Sequence, residues 1–374
     1  MCDTNNIQEY MEITKMFKRI KNNLKYTKNA VCFAVGKIVR FLSKTFDNNL
    51  ISQVASLTAL DNAFNDLYDD KIKKQKDHND IFWHYARNWQ TRRLTLRQEL
   101  QNGTYLLGPI TNYTIATGIG AKTTEVSVWD NESSIVLKVL KNVLEPYLKS
   151  KIDLTAAARL KDHGGLKASV NKANNLSQHN KFIMKTDIAK FYASINHNKL
   201  GDILADYISD KRVLNIIMQY CNRCEIKNAE HMLVNNTSIP RGCPLSPLIG
   251  AVYLYPLDDF AKSNKLSYVR YMDDFIFFAK TRNKLRGIVK KVHKILADLR
   301  LWLAPDKTYI GSLKKGFSFL GYKILGETLS ISTTSLQRLR ANINRLYEQQ
   351  ASNARLGRYL EKWLSWAKGG VNNL

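Results

Sequence analysis

Acidic residues are scarce in this chain. Asp and Glu number 32 against 57 Lys and Arg, which leaves a net charge of +25 over 374 residues. A protein so short of negative charge is built to meet a polyanion, most simply nucleic acid; an anionic membrane surface and a ribosome-type surface are the alternatives. Long hydrophobic runs are missing too. No stretch of eighteen apolar residues occurs, and the best candidate, Val31 to Leu42, is short and carries Lys37 and Arg40. No membrane span is therefore expected. The opening MCDTNNIQEY is acidic and polar rather than a signal peptide, so a cytoplasmic protein is expected. Cysteine is sparse and odd in number, five in all, which argues against a disulfide framework and reads as reduced thiols. Cys221 and Cys224 form a lone CxxC with His231 nearby but no second pair, so no zinc site is expected. Neither an internal repeat nor a long low-complexity tract is present.

What is there reads as globular. The hydrophobic content of 44% and a length of 374 residues suffice for two or three packed units. Residues 1–50 are basic, with helical spacing of Ile13, Met16, Phe17, Ile20 and Leu24, and read as a helical extension. Lys71 to Asp80 is a charged break. Ile81 to Leu100 reads as a helix ended by Gly103, Gly108 and Pro109. Asn112 to Asp130 alternates like a hairpin. SSIVLKVLKNVLEPYLKS reads as an amphipathic helix stopped near Pro146. A strand, KFIMKTD, carries Phe182, Met184 and Thr186 on one face and ends at Asp187. A helix over about Asn198 to Gln219 follows, then a Pro/Gly loop, SIPRGCPLSP, leading into an apolar helix. An amphipathic helix over Leu285 to Leu299, a short hairpin at GFSFLGYKI and a basic helical tail from Ser335 to Lys368 complete the chain. In that tail Leu336, Leu339, Ile343 and Leu346 share one face.

The segment RYMDDFIFF poses a physical problem. Asp273 and Asp274 sit side by side in the apolar run Val269, Tyr271, Phe275, Ile276, Phe277. Two adjacent carboxylates there cost free energy unless a turn, a cation or a metal offsets desolvation and repulsion. An Asp-Asp turn without chemistry is one answer. The other joins them to Asp187 at the end of a neighbouring strand. Nucleotidyl transfer uses two divalent cations about 3.5–4 Å apart. Hard cations such as Mg²⁺ take carboxylate oxygens, which aspartates from adjacent strands supply.

KTDIAKFYASINH, IPRGCPLSP, YMDDF, LAPDKT and FSFLGY occur in the order and spacing of the reverse-transcriptase motifs. From Ile81 to Leu374 the chain resembles bacterial reverse transcriptases of the group that includes group II intron, retron, diversity-generating and phage-defence enzymes. The resemblance implies an α+β right-hand polymerase: a basic helical extension over 1–70, fingers over 71–185, an antiparallel-sheet palm over 186–328 and a helical thumb over 329–374. It implies Asp187 and Asp273 as principal metal ligands, with Asp274 peripheral and Ile188 beside them, holding two Mg²⁺ for which Mn²⁺ can substitute. Tyr192 falls at the steric-gate position that disfavours a ribose 2′-hydroxyl. Phe191 beside it, with Ile188, Arg241 and Gly242, belongs to the nucleotide-binding surroundings. Lys307 matches a lysine that protonates pyrophosphate. Tyr271 and Met272 match the pair lying against the primer end, and Phe319, Leu320, Gly321 and Tyr322 the primer grip.

The chain departs from its relatives in the fingers. Lys122 is kept as a triphosphate contact, but Thr123 and Thr124 stand where an arginine is usual. Arg159, Lys161 and Lys167 are candidates for the missing charge. Arg241 replaces a common glutamine. The resemblance implies an RNA-directed DNA polymerase that uses an RNA template and dNTPs and makes DNA. The role expected is phage defence with a dedicated non-coding RNA. Diversity-generating and retron-type enzymes are the alternatives, and a non-catalytic nucleic-acid-binding scaffold is the alternative of another class. A dedicated RNA, and an accessory protein or self-association, are the expected partners.

Overall fold

The computed structural model describes residues 50–73, 80–116, 123–157, 160, 163–227, 230–233 and 237–368. The helix read over Met11 to Leu24, and Lys122, Arg159 and Lys161, lie outside these residues. The described residues belong to one compact unit, Leu50–Leu374. Leu50 to Asp70, grouped by sequence with the extension, packs into that unit: Leu50, Ile51, Val54 and Leu60 are buried.

The described residues begin with four helices, α1 (Leu50–Val54), α2 (Leu57–Lys73), α3 (Ile81–Arg87) and α4 (Trp89–Asn102), followed by a hairpin of β1 (Ile110–Ala116) and β2 (Thr123–Trp129). Next come α5 (Asn131–Lys151), α6 (Gly165–Gln178), β3 (Phe182–Thr186), α7 (Phe191–Ser194), α8 (His197–Ala205) and α9 (Lys211–Cys221). A second hairpin, β4 (Cys224–Lys227) and β5 (Glu230–Leu233), precedes α10 (Ser246–Tyr253) and α11 (Tyr255–Ser263). The rest is β6 (Ser267–Tyr271), β7 (Asp274–Ala279), α12 (Arg282–Asp298), β8 (Tyr309–Ser312), β9 (Phe317–Phe319), β10 (Tyr322–Leu325), β11 (Thr328–Ile331), α13 (Thr333–Glu348) and α14 (Asn353–Lys368). This is an α+β chain. Among the described residues no helix is long and apolar enough to cross a membrane.

Among the described residues three sheets form, ordered β2-β1-β4-β5, β6-β7-β3-β8 and β11-β10-β9. The second sheet is antiparallel throughout. Side chains alternate across it, as a strand requires. Phe275 and Phe277 enter a large core that includes the buried residues of α12, whereas Ile276 and Phe278 enter a second core with Val170 of α6 and Phe319 of β9. The sheet is thus covered on both faces, by α12 on one and by α6 with the β9–β10 hairpin on the other. Continuous apolar runs in β7 follow from that burial.

Several expected boundaries shift for identifiable reasons. The helix read as stopping near Pro146 continues through it to Lys151. Proline there forfeits one backbone hydrogen bond, but Leu144 and Leu148 are buried on either side. Glu145 also bonds Lys141 and Lys149, at 2.8 and 2.9 Å, across the weakened turn. The single helix expected over Asn198 to Gln219 is two, α8 and α9. Between them buried Asp210 caps α9 by accepting from Arg212 N at 3.0 Å and also accepts from Ile51 N at 3.2 Å. The helix read from Ile81 breaks at Asn88, and the basic tail breaks between α13 and α14, where Gln350 has φ 50°. Of the apolar face read in that tail, Leu346 is buried while Leu336 is 44% exposed.

Candidate active site

Register brings the aspartates to one end of the β6-β7-β3-β8 sheet. Thr186 pairs with Phe275 in the antiparallel β3–β7 ladder, so Asp187 comes level with Asp274. Tyr271 pairs with Asp274, which leaves Met272 and Asp273 as the two-residue tip of the β6–β7 hairpin. A two-residue loop suits a turn with positive φ. Met272 takes it, at φ 58°, a conformation that is cheap for glycine and strained for a side chain of this size.

Asp187 is buried. Its backbone is clamped: its carbonyl accepts from Ala304 N and Ala189 N donates to Trp302 O, both at 2.9 Å. These bonds flank the Ile188–Leu303 bridge and leave the N–H and C=O of Ile188 facing away from Leu303. The Ile188 side chain itself is core, so only its carbonyl can serve a site. Below Asp187, Thr186 Oγ1 and Thr308 Oγ1 are 2.7 Å apart.

The carboxyls of Asp187 and Asp273 lie within hydrogen-bond reach of each other. Burial, and then the charge of Asp187, push the Asp273 carboxyl above the usual carboxylate range. Asp274 is pushed up to about 6, by burial first and by Asp187 next, with Lys185 opposing. Lys307, on the loop before β8, donates to Asp187 Oδ2. That bond is the main reason its ammonium holds its proton more tightly than usual. Asp187 and Asp273 are the close pair, and Asp274 is coupled to both by charge. Among the described residues no three His, Cys, Asp or Glu side chains converge on one point. The donor set still fits a hard divalent cation. Asp187, Asp273 and Asp274 offer hard oxygen donors, burial and then the Asp187 charge raise the carboxyls of the other two, and a lysine ammonium already lies against Asp187.

The floor of the site is aromatic. Phe191 is buried and Tyr192 half-buried, with ring centroids 5.5 Å apart. The Tyr192 carbonyl accepts from Ile239 N at 2.8 Å, tying α7 to the loop that carries Arg241 and Gly242. Both of those residues are exposed, and Gly242 has φ 91°. Ser246 holds this loop shut: its hydroxyl donates to Pro240 O at 2.6 Å and lies 2.8 Å from the Tyr220 hydroxyl. Gly250 of α10 lies under the aromatic pair, where a Cβ would stand 3.1 Å from a carbon of each ring.

The β9–β10 turn is built for packing. Leu320 and Gly321 both have positive φ, 48° and 90°, as the commonest two-residue hairpin turn needs. Phe319 and Tyr322 are buried, and the Tyr322 hydroxyl donates to Trp366 O at 2.7 Å. The Trp366 ring leans over Gly321, within 2.6 Å of where a Cβ would be. Phe319 and Tyr322 thus hold the turn, and Leu320 and Gly321 at its tip are half-buried, Gly321 beneath the Trp366 ring. Lys167, the described candidate for the missing fingers charge, is exposed on α6.

Sequence reasoning missed the support beneath the hairpin tip. Arg270 is 2% exposed and Asp258 4%. Arg270 Nε donates to Asp258 Oδ1 at 2.8 Å, and its Nη2 donates to Oδ2. The Tyr268 hydroxyl donates to Asp258 Oδ1 at 2.8 Å. The remaining arm, Nη1, donates to the carbonyl of strained Met272 at 3.0 Å. The available signal was an arginine inside an apolar strand, which demands a buried acceptor, and the only way to find Asp258 twelve residues earlier was from the fold.

The family model described as reverse transcriptase (RNA-dependent DNA polymerase) matches residues 124–324. That is more than half of the chain, and the chain belongs to this family. It is similar to the retron Ec86 reverse transcriptase of Escherichia coli, with 23% identity over 61% of this chain and 65% of that protein. It is also similar to the retron Ec83 reverse transcriptase of Escherichia coli, with 32% identity over 32% of this chain and 39% of that protein. The chain thus spans less than two thirds of the length of either relative.

Proposed function

We propose that this protein is an RNA-directed DNA polymerase whose catalytic carboxylates are Asp187, Asp273 and Asp274. Residues 71–185 act as fingers, 186–328 as palm and 329–374 as thumb. The meeting of Asp187 and Asp273 at the end of an antiparallel sheet, inside the family match, supports this reading most. Asp187, Asp273, Asp274 and the Ile188 carbonyl are the groups that would hold Mg²⁺ or Mn²⁺. When bound, such cations supply the Lewis acidity for activating a primer 3′-hydroxyl and neutralising a triphosphate. The chain's own residues do the rest. Arg270 fixes the hairpin tip. Tyr192, braced by Phe191 and Gly250, closes the space a 2′-hydroxyl needs. Lys307 holds a proton at Nζ for the leaving pyrophosphate. Leu320 and Gly321 present backbone to the primer, and Arg241 and Gly242 face template and nucleotide.

Two consequences follow for the site itself. Tyr192→Val is expected to raise ribonucleotide incorporation relative to deoxyribonucleotide by at least about tenfold, since a steric contact worth more than about 1.4 kcal/mol is removed; unchanged discrimination would remove Tyr192 from the gate. Burial and the Asp187 charge push the Asp274 carboxyl up to about 6, so protons compete with the cation below that pH. Mn²⁺ affinity, read by electron paramagnetic resonance, should fall about tenfold per pH unit below about 6 and level off above it. A flat profile through that range would place the metal elsewhere.

Copying a dedicated non-coding RNA, in phage defence, is the finer form of the proposal. The similarity to two retron reverse transcriptases favours the retron-type version of template use. The test is to purify the protein with its native flanking locus, sequence the bound nucleic acid and extend it with dNTPs. One recurrent RNA and its DNA copy are expected, and a random sample of host RNA contradicts the dedicated template.

A further inference from the structure

The helix that follows β7 carries a basic surface. Helix α12 packs Leu285, Ile288, Val292 and Leu296 into the core and covers the sheet face opposite the one that carries the β9–β10 hairpin. Its outer face carries Arg282, Arg286, Lys290 and Lys294, all exposed. Spaced four residues apart, they form a single ladder about 18 Å long. Among the described residues none of the four has an ion pair. Like charges one turn apart destabilise a helix, so folding alone does not explain the pattern.

The ladder leads to an aromatic. Just past the helix, Trp302 is 68% exposed beside a groove of about 810 Å³ that His293, Ala297, Arg300 and Pro305 also line. An exposed indole has its own cost in water. Here its backbone is fixed by the hydrogen bond between its carbonyl and Ala189, so the ring is presented from a rigid mount. A row of cations matches phosphates, and an indole with a guanidinium beside it matches an unstacked base.

We infer that this face is a second RNA-binding surface, on which a folded RNA lays a duplex along Arg282, Arg286, Lys290 and Lys294 and stacks an unpaired base on Trp302. It rests on the polymerase reading only in the choice of RNA as the polyanion. The ladder itself lies on α12 rather than on the strands and loops that carry the carboxylates, which leaves that site free for primer and template. An RNA tethered there keeps its copied strand close to the site, so the surface raises the local concentration of one template over others.

The probe is a fluorescent RNA hairpin of roughly 20 base pairs with a short 3′ overhang, titrated into the full chain with and without a saturating RNA–DNA primer–template. The wild type is expected to bind both together. Arg282→Gln/Arg286→Gln/Lys290→Gln/Lys294→Gln is expected to weaken the hairpin at least tenfold. The slope of log affinity against log salt should become shallower by about three, with thermal stability and primer extension unchanged. Trp302→Ala is expected to abolish the preference for the overhang over a blunt hairpin. Displacement of the hairpin by the primer–template, or equal hairpin binding by the Gln variant, overturns the inference. So does tighter, equally variant-sensitive binding to phosphatidylserine vesicles, which would assign the face to a membrane. If the wild type fails to extend a primer yet binds the hairpin through the ladder, the polymerase reading fails and this one stands.

Discussion

Asp273→Asn is expected to abolish DNA synthesis and at the same time stabilise the protein. Loss of one carboxylate from the cation site removes several kcal/mol of transition-state stabilisation, a rate loss of at least about 1,000-fold. The stability gain comes from the same side chain. Burial and the Asp187 charge hold the Asp273 carboxyl above its ordinary 3.8. A carboxyl whose pKa is raised by folding contributes stability that is present below its unfolded value and lost as pH rises through its folded value. At neutral pH the cation-free protein carries that penalty, and the neutral amide does not. In EDTA at pH 7.5 the variant should therefore melt about 1–3 °C higher than wild type, and the gain should vanish below pH 3.8, where Asp273 is protonated in the folded and unfolded chain alike. A variant that loses activity and also melts lower at pH 7.5 would mean that Asp273 serves packing rather than charge.

The second large effect concerns Arg270. Arg270→Met alone strands Asp258 as a buried, unpaired charge, and destabilisation of about 3–5 kcal/mol is expected. That result by itself says nothing of catalysis. The informative variant replaces the whole network by apolar groups of similar size, Arg270→Met with Asp258→Leu and Tyr268→Phe. Removing all three partners together leaves no stranded charge, and near-native stability is expected. The carbonyl of Met272 still loses the donor at 3.0 Å, so the strained tip that carries Asp273 is freed. We expect kcat to fall about 10- to 100-fold with the KM for dNTP nearly unchanged, as for lost positioning of a reacting group. Full activity in a stable triple variant would reduce Arg270 to a core ion pair.

The contrast between what was readable and what was not has a physical basis. The β6–β7 hairpin was legible because two aspartates inside an apolar run admit few structures, and Phe275 to Phe278 bury alternately on both sheet faces. Strand β3 was legible by its period and its end at Asp187. Helix ends were less so. Pro146 is an ordinary stop signal, overridden here by buried leucines on either side, and Asp210 caps a helix in the middle of what reads as one apolar period. Tertiary burial decides such cases, and a local pattern does not contain it. The Arg270–Asp258 pair and the contact of Gly250 with the two rings are long-range and carry no local signature. The tail misled in another way. Its helical period is real, yet along the face read there Leu346 is buried, Leu339 and Ile343 are half-buried and Leu336 is exposed.

The most direct test of the central claim is single-turnover incorporation of one dNMP into a primer annealed to RNA, with Mg²⁺, comparing wild type with Asp273→Asn/Asp274→Asn. The account predicts template-directed addition by wild type, none by the variant, and equal binding of the primer–template by both. Addition by the variant at a rate close to wild type, or none by a wild type that holds primer–template and Mg²⁺ together, would contradict it.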